Sequence, residues 1–84
     1  MTAGVIEVDL HGLKVEEAVK RAENEVTKAS TGVYIVRLIH GYHGGTRIRD
    51  AIEEEFSYGR APKVKRIRQG SNPGITELVL RELY

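Results

Sequence analysis

"VYIVRLIHGYHGGTRIRDAIEEEF", residues 33–56, passes from a β-branched apolar stretch through a glycine-rich turn into an amphipathic one. Only Arg37 interrupts VYIVRLIH, and an apolar run of this length and composition suits a strand flanked by neighbours on both sides. From Thr46, a residue type that caps helix N-termini, Ile48, Ala51, Ile52 and Phe56 recur at helical spacing. Tyr58, Gly59 and Pro62 then stop the helix. A buried strand that feeds a helix through glycines is half of a strand–helix–strand unit, so the fold is decided by what flanks it.

Upstream, VIEVDLHG alternates, with Ile6, Val8 and Leu10 on one face and Glu7, Asp9 and His11 on the other. This predicts a strand with one face on a core and one face open. Val15, Ala18, Val19, Ala22, Val26 and Ala29 mark one side of an amphipathic helix over residues 14–29, which Ser30, Thr31 and Gly32 end. Downstream, KVKRIR (63–68) reads as a short basic strand, GSNPG (70–74) as a turn and ITELVLREL (75–83) as the last strand. The order is β-α-β-α-β-β. Strand–helix–strand crossovers are right-handed, and if both helices cover the apolar face of the first strand, both crossovers step the same way along the sheet. The expected fold is an α/β two-layer sandwich with a four-stranded mixed sheet in the order 1-2-4-3. Both helices lie on one face, the last strand is antiparallel in the interior, and the basic strand is at an edge.

Eighty-four residues make one domain, residues 1–84, that buries about 60–65% of its unfolded surface. With 40% apolar and 30% charged residues the chain is soluble and globular in composition. The absence of cysteine excludes a disulfide framework, a cysteine zinc site and a thiol nucleophile. There is no basic segment followed by an apolar leader, and no apolar run approaches the ~20 residues of a membrane span. A cytoplasmic monomer without a membrane partner is the expectation. The net charge of +1 hides an uneven distribution: residues 43–84 carry eight Lys or Arg against six acids, and Arg60, Lys63, Lys65, Arg66 and Arg68 fall within nine residues that contain no acid. Such a run serves a phosphate backbone or protects a sheet edge from pairing with another chain.

Ligands of open α/β sheets bind beyond the carboxyl ends of parallel strands. Here those ends are DLHG and HGYHGGT, which contain all three histidines of the chain. Asp9 and His11, two apart, are expected to share a face, where a carboxylate orients an imidazole or holds a metal ion. Gly41, Gly44 and Gly45 precede a helix start, where backbone N–H groups and the helix dipole receive phosphate. Arg47 and Arg49 occupy the first helical turn, where the dipole favours acids, and this points to an anionic ligand. The pattern is neither GxGxxG nor GxxxxGK[ST], which disfavours a dinucleotide or nucleoside triphosphate site.

VDLHGL followed by EEA, then LIHGYHGGTRIRDAI, and finally a G-x-T ahead of an apolar strand in GITELVL, together resemble the Smr (small MutS-related) domain over residues 5–80. The resemblance implies the two-layer fold of the C-terminal domain of bacterial translation initiation factor 3, nucleic-acid binding and, in many members, endonuclease activity on DNA or RNA. The family's LDxH motif falls on Val8, Asp9, Leu10 and His11, with valine for the usual leucine, and its HGxG motif on His40, Gly41, Tyr42 and His43. A histidine therefore stands where the second glycine is usual, and the stretch from His40 to Arg49 is one residue longer than the common HGxGxGxLR spacing.

Two functions compete. As an endonuclease, the protein would use His11 and His40 as acid and base with Asp9 orienting one of them. Phosphate would be held by Gly41, Tyr42, His43, Gly44, Gly45, Arg47 and Arg49, and the strand by Lys63, Lys65, Arg66 and Arg68. As a non-catalytic module associated with RNA or the ribosome, the same rim would grip DNA or RNA without cutting it. Tyr42, with Tyr34 or Tyr58, would then stack on unpaired bases, although Tyr34 also reads as a core residue. A protein-interaction domain with no nucleic acid is the third alternative. The sequence requires no cofactor. One carboxylate with scattered histidines is a poor magnesium cage, and a divalent ion, Mg or Mn, held by Asp9 stays open as an alternative.

Overall fold

The computed structural model describes residues 4–41, 46–57 and 61–81. In chain order the elements are β1 (Val5–Asp9), α1 (Val15–Lys28), β2 (Ile35–Ile39), α2 (Arg47–Phe56), β3 (Arg66–Gln69) and β4 (Ile75–Val79). The strands form one sheet in the order β1-β2-β4-β3. β1 and β2 are parallel, and β4 runs antiparallel to both of its neighbours. This is the mixed sheet that the pattern of apolar faces predicts.

The register decides which residues meet the helices. Ile6 and Val8 pair with Val36 and Leu38, these pair with Leu78 and Thr76, and Leu78 also pairs with Ile67. Paired residues point to the same side of a sheet, so these positions, with Leu10 and Leu80, make one largely apolar surface. Ala18, Ala22 and Val26 of α1 and Ile52 and Phe56 of α2 close over it in a single buried cluster. Both helices therefore cover the same face. Leu10, Leu38, Ile52 and Leu78 are fully buried, and each such side chain contributes about 1.5–3 kcal/mol by leaving water.

Local chemistry sets where the elements begin and end. Glu16 and Glu17 in the first turn of α1 and Lys28 in its last complement the helix dipole, and Glu17 Oε1 accepts the Lys14 backbone N–H at 3.2 Å. At the other end, Lys63 Nζ donates to the carbonyls of Thr27 and Ala29, at 3.3 and 3.0 Å. That reach toward α1 displaces the third strand from its expected place. KVKRIR spans 63–68, yet Lys63 is engaged with α1, Val64 N–H donates to Ala61 O at 2.9 Å, and pairing to β4 starts only with Lys65 N–H on Val79 O at 2.7 Å. The last strand is also shorter than the expected 75–83, because the N–H groups of Leu80 and Arg81 converge on the single carbonyl of Tyr34, at 2.7 and 3.3 Å. Between β3 and β4, Asn72 Oδ1 accepts Gly74 N–H at 2.8 Å and Asn72 O accepts Ile75 N–H at 3.1 Å, an Asx-type turn. A Cβ on Gly70 would fall 2.4 Å from Ile75 Cγ2, so the chain closes this hairpin only with glycine there.

The face without helices carries a row of charge. Glu7, Arg37, Glu77 and Arg68 are register partners across all four strands. Arg37 Nη1 donates to Glu7 Oε2 at 2.9 Å, Arg37 Nε to Glu77 Oε2 at 2.9 Å, and Arg68 Nε to Glu77 Oε1 at 2.7 Å. Burial pushes the Glu77 carboxyl up, but the hydrogen bonds from Arg68 and Arg37 outweigh it and hold the group below the usual carboxylate range. Among the described residues no helix is long and apolar enough to cross a membrane.

Candidate nucleic-acid interface

β1 ends at Asp9, and Gly12, at φ +80°, takes part in the turn that follows. His11 is therefore not a strand residue, and alternation does not place it beside Asp9. A turn does: Asp9 Oδ1 accepts the His11 backbone N–H at 3.1 Å and lies 2.6 Å from His11 Nδ1. With Nδ1 donating to the carboxylate, Nε2 on the far side of the ring has no partner among the described residues. The hydrogen bond and charge of Asp9 raise the His11 imidazole above its ordinary range, and the same hydrogen bond holds Asp9 below its own. Both side chains are exposed, 72% for His11 and 62% for Asp9, so solvent screens the pair.

His40 follows the last residue of β2 and continues the parity of Val36 and Leu38, which turns its ring toward the helix-covered face. It is 7% exposed. The Gly41 carbonyl, which only accepts, lies 2.9 Å from Nδ1, so Nδ1 carries the proton. Nε2 then accepts from the Thr76 hydroxyl at 2.7 Å. Both ring nitrogens are engaged within the chain. The Gly74 carbonyl accepts from both His40 N–H and Gly41 N–H, at 2.9 and 3.0 Å, so the Gly41 N–H points into the β3–β4 hairpin rather than outward. Gly41 has φ +76°, and a Cβ there would lie 3.8 Å from His11 Cβ. The two turns thus meet at the rim, with Asp9 on the open side of the sheet and His40 beneath the helices.

Tyr42, His43, Gly44 and Gly45 lie outside the described residues, as do Tyr58 and Arg60. Arg47 is exposed at the start of α2. Thr46 is the N-cap, yet its hydroxyl donates to Asp50 Oδ2 at 3.0 Å instead of accepting a backbone N–H. Asp50 Oδ1 also lies 3.6 Å from Arg49 Nη2. Asp50 therefore supplies part of the negative charge that two arginines in a first helical turn call for. Arg49 Nε is buried without a hydrogen-bond partner among the described residues. In the basic run, Lys63 closes α1 and Arg68 bonds Glu77, so both have structural roles. Arg66 shares the open face with Arg68, and Lys65 is exposed.

Gly74 and Thr76 are the outer residues of the G-x-T ahead of the last strand, which carries the resemblance but no expected site role. The signal for His40 was present, since it shares parity with Val36 and Leu38. Its partner lies 36 positions away and becomes visible only once the β2–β4 register is known. Among the described residues no three His, Asp or Glu side chains converge as a metal cage requires. Asp9 with His11 offers two donors, fewer than the set a divalent ion takes from a dedicated site.

Comparison with known proteins identifies the family and the fold. The family profile described as the Smr domain matches residues 8–75, which include the end of β1, both turns at the rim and the β3–β4 hairpin turn. The crystal structure of the Smr domain of Thermus thermophilus MutS2 superposes with a TM-score of 0.78 at 32% sequence identity, covering 92% of this chain and 99% of that one. No curated protein matches the chain in sequence. A profile match that begins in β1 and ends in β4, joined to a solved domain with the same fold, leads to one conclusion: the chain belongs to the Smr domain family, a nucleic-acid-binding, nuclease-like group.

Proposed function

We propose that the protein is an endonuclease acting on DNA or RNA at the rim formed by the carboxyl ends of β1 and β2. The observation that carries this reading is the Asp9–His11 pair: a 2.6 Å contact fixes the imidazole through Nδ1 and leaves Nε2 free at the surface. In this mechanism Nε2 removes the proton of an attacking hydroxyl, from water or a ribose 2′-hydroxyl. The new oxygen–phosphorus bond forms as the bond to the leaving oxygen breaks, and the imidazolium returns its proton to that oxygen. Asp9 holds the ring in the required tautomer and favours the imidazolium in between. Arg47, Arg49 and the N-terminal N–H groups of α2, whose side-chain cap is diverted to Asp50, receive the phosphate oxygens. No cofactor is required by this scheme.

A second reading has its own support. His40 engages both ring nitrogens internally, which leaves one free imidazole among the described residues where acid–base cleavage is best served by two. A module that grips phosphate without cutting would have this arrangement. One experiment separates the two: labelled single strands of RNA and DNA incubated with the protein and with His11→Ala, with and without chelator. The nuclease reading expects product formation that falls by about 10²–10⁴-fold in the variant while retention on the strand is kept. Binding by both proteins with no product from either leaves the clamp.

A further inference from the structure

We infer that Thr76 is a positioning residue for the rim: its hydroxyl donates to the buried Nε2 lone pair that remains once Gly41 O takes the Nδ1 proton, and so fixes the His40 ring that holds the Gly41 carbonyl beside the His11 turn. The inference rests on the proposed reading of that rim as a phosphodiester-binding site.

Thr76 occupies the helix-covered face of an interior strand, in register with Leu38 and two residues from Leu78. Valine has the same shape and would suit such a position. A buried hydroxyl costs about 1–3 kcal/mol unless it is bonded, so the hydroxyl at 2% exposure needs a partner, and His40 Nε2 at 2.7 Å is that partner. The bond has a direction. Gly41 O can only accept, which places the imidazole proton on Nδ1 and leaves a lone pair on Nε2. In a ring 7% exposed, that lone pair must meet a donor, and Thr76 supplies it. Without the hydroxyl that lone pair is buried with no donor, and the ring is relieved only by turning its Nε2 edge toward water, which gives up the Nδ1–H bond to Gly41 O.

Gly41 is where the effect reaches the site. Its φ of +76° is the left-handed conformation that glycine supplies, its carbonyl is held by His40, its N–H is held by Gly74 O, and a Cβ added to it would meet His11 Cβ at 3.8 Å. Gly41 is therefore held on both sides of its Cα, on one of them through His40 and Thr76. His40, buried and doubly bonded, acts on this turn and not on substrate.

The test uses Thr76→Val, which removes the hydroxyl and keeps the shape, with Thr76→Ser as the restoring variant. Long-range imidazole nitrogen–proton NMR correlations on the free protein are expected to show His40 protonated at Nδ1 and bare at Nε2. Thr76→Val should lose that signature and shift the Gly41 amide, and Thr76→Ser should restore both. Cleavage of a labelled strand should fall about 10²-fold in kcat/KM in the valine variant, the scale of a displacement near 1 Å, and return to within a few-fold in the serine variant. A His40 protonated at Nε2 in the unaltered protein overturns the inference, even if Thr76→Val does not fold. So does a valine variant that keeps the Nδ1–H signature or full activity. If the unaltered protein cuts no strand, the nuclease reading fails by itself, and the tautomer and Gly41 signals still decide whether Thr76 sets the turn.

Discussion

Replacing Glu77 by Gln tests the charge row that spans the sheet. Glu77 has 8% side-chain exposure and accepts two charge-assisted hydrogen bonds, from Arg68 Nε at 2.7 Å and Arg37 Nε at 2.9 Å. A glutamine of the same shape offers one oxygen and turns an N–H₂ group toward the other guanidinium. Two bonds to a charged, buried acceptor are worth about 3–6 kcal/mol gross. The partners are less buried, at 46% for Arg68 and 30% for Arg37, and Arg37 keeps Glu7, so water and Glu7 recover part of the loss. Halving the gross figure for that exposure gives about 1.5–3 kcal/mol. In a domain of this size the melting temperature should fall by about 6–24 °C. The pH dependence has a definite sign. The folded carboxyl is held below its unfolded value, so its stabilisation is fully present above about pH 4.3 and is lost as pH falls through the lower, folded value. Urea unfolding followed by circular dichroism should therefore show a large gap between the two proteins at neutral pH and a narrower one near pH 3. A neutral-pH gap below ~0.5 kcal/mol, the scale of an ordinary surface change, or a gap that does not narrow in acid, would refute the reasoning. The row also guards the site, because a slip of one residue between β2 and β4 would carry Thr76 to the face opposite His40.

Two further outcomes are expected. Asp9→Asn should lower the His11 imidazole pKa toward its ordinary ~6.5, because the raised value comes from the Asp9 hydrogen bond and charge; an NMR titration reads this directly, and an unchanged midpoint would dissolve the pair. In the unaltered protein the stabilisation owed to raised His11 is complete below ~6.5 and fades as pH rises through the folded value, while that owed to lowered Asp9 fades as pH falls through its own, so the pair contributes most between the two. Lys63→Met should cost about 0.5–1 kcal/mol of stability through the lost closure of α1, seen by thermal melting. Its effect on the salt dependence of oligonucleotide retention should be smaller than that of Lys65→Met, and an equal loss of slope would return Lys63 to the phosphate-binding set.

The strand order was readable because burial writes itself into alternation. Val36 and Leu38 on one side of β2 and Ile35 and Ile39 on the other marked an interior strand, and the lysines and arginines near β3 marked an edge. The exact limits of β3 were not readable, since they depend on where Lys63 finds carbonyls, and those belong to α1. Strand alternation pairs Asp9 with His11 on one face, and the structure pairs them by a different route. Alternation would have needed the strand to continue to His11, whereas a turn with Gly12 at positive φ makes the contact. His40 was legible as a rim residue and not as a buried one bonded on both nitrogens. That fact depends on the pairing of β2 with β4, which brings Thr76 of the G-x-T motif to a histidine 36 residues away, and the motif by itself does not name its partner.

Strands count residues in twos, and this restricts where the chain can change length. β2 makes its last ladder pair at Ile39, and everything that turns Asp9, His40 and Thr76 to their proper sides is fixed by pairing up to that point. One residue inserted into β1, β2 or β4 would reverse a face and take a site residue with it. The stretch from His40 to Arg49, one residue longer here than the common Smr spacing, falls past the last pair and escapes that constraint. There an added residue leaves every face as it was, at a chain-entropy cost of about 0.1 kcal/mol. Lineages of this domain are thus free to vary in length between β2 and α2, and held to a fixed count everywhere the sheet is paired.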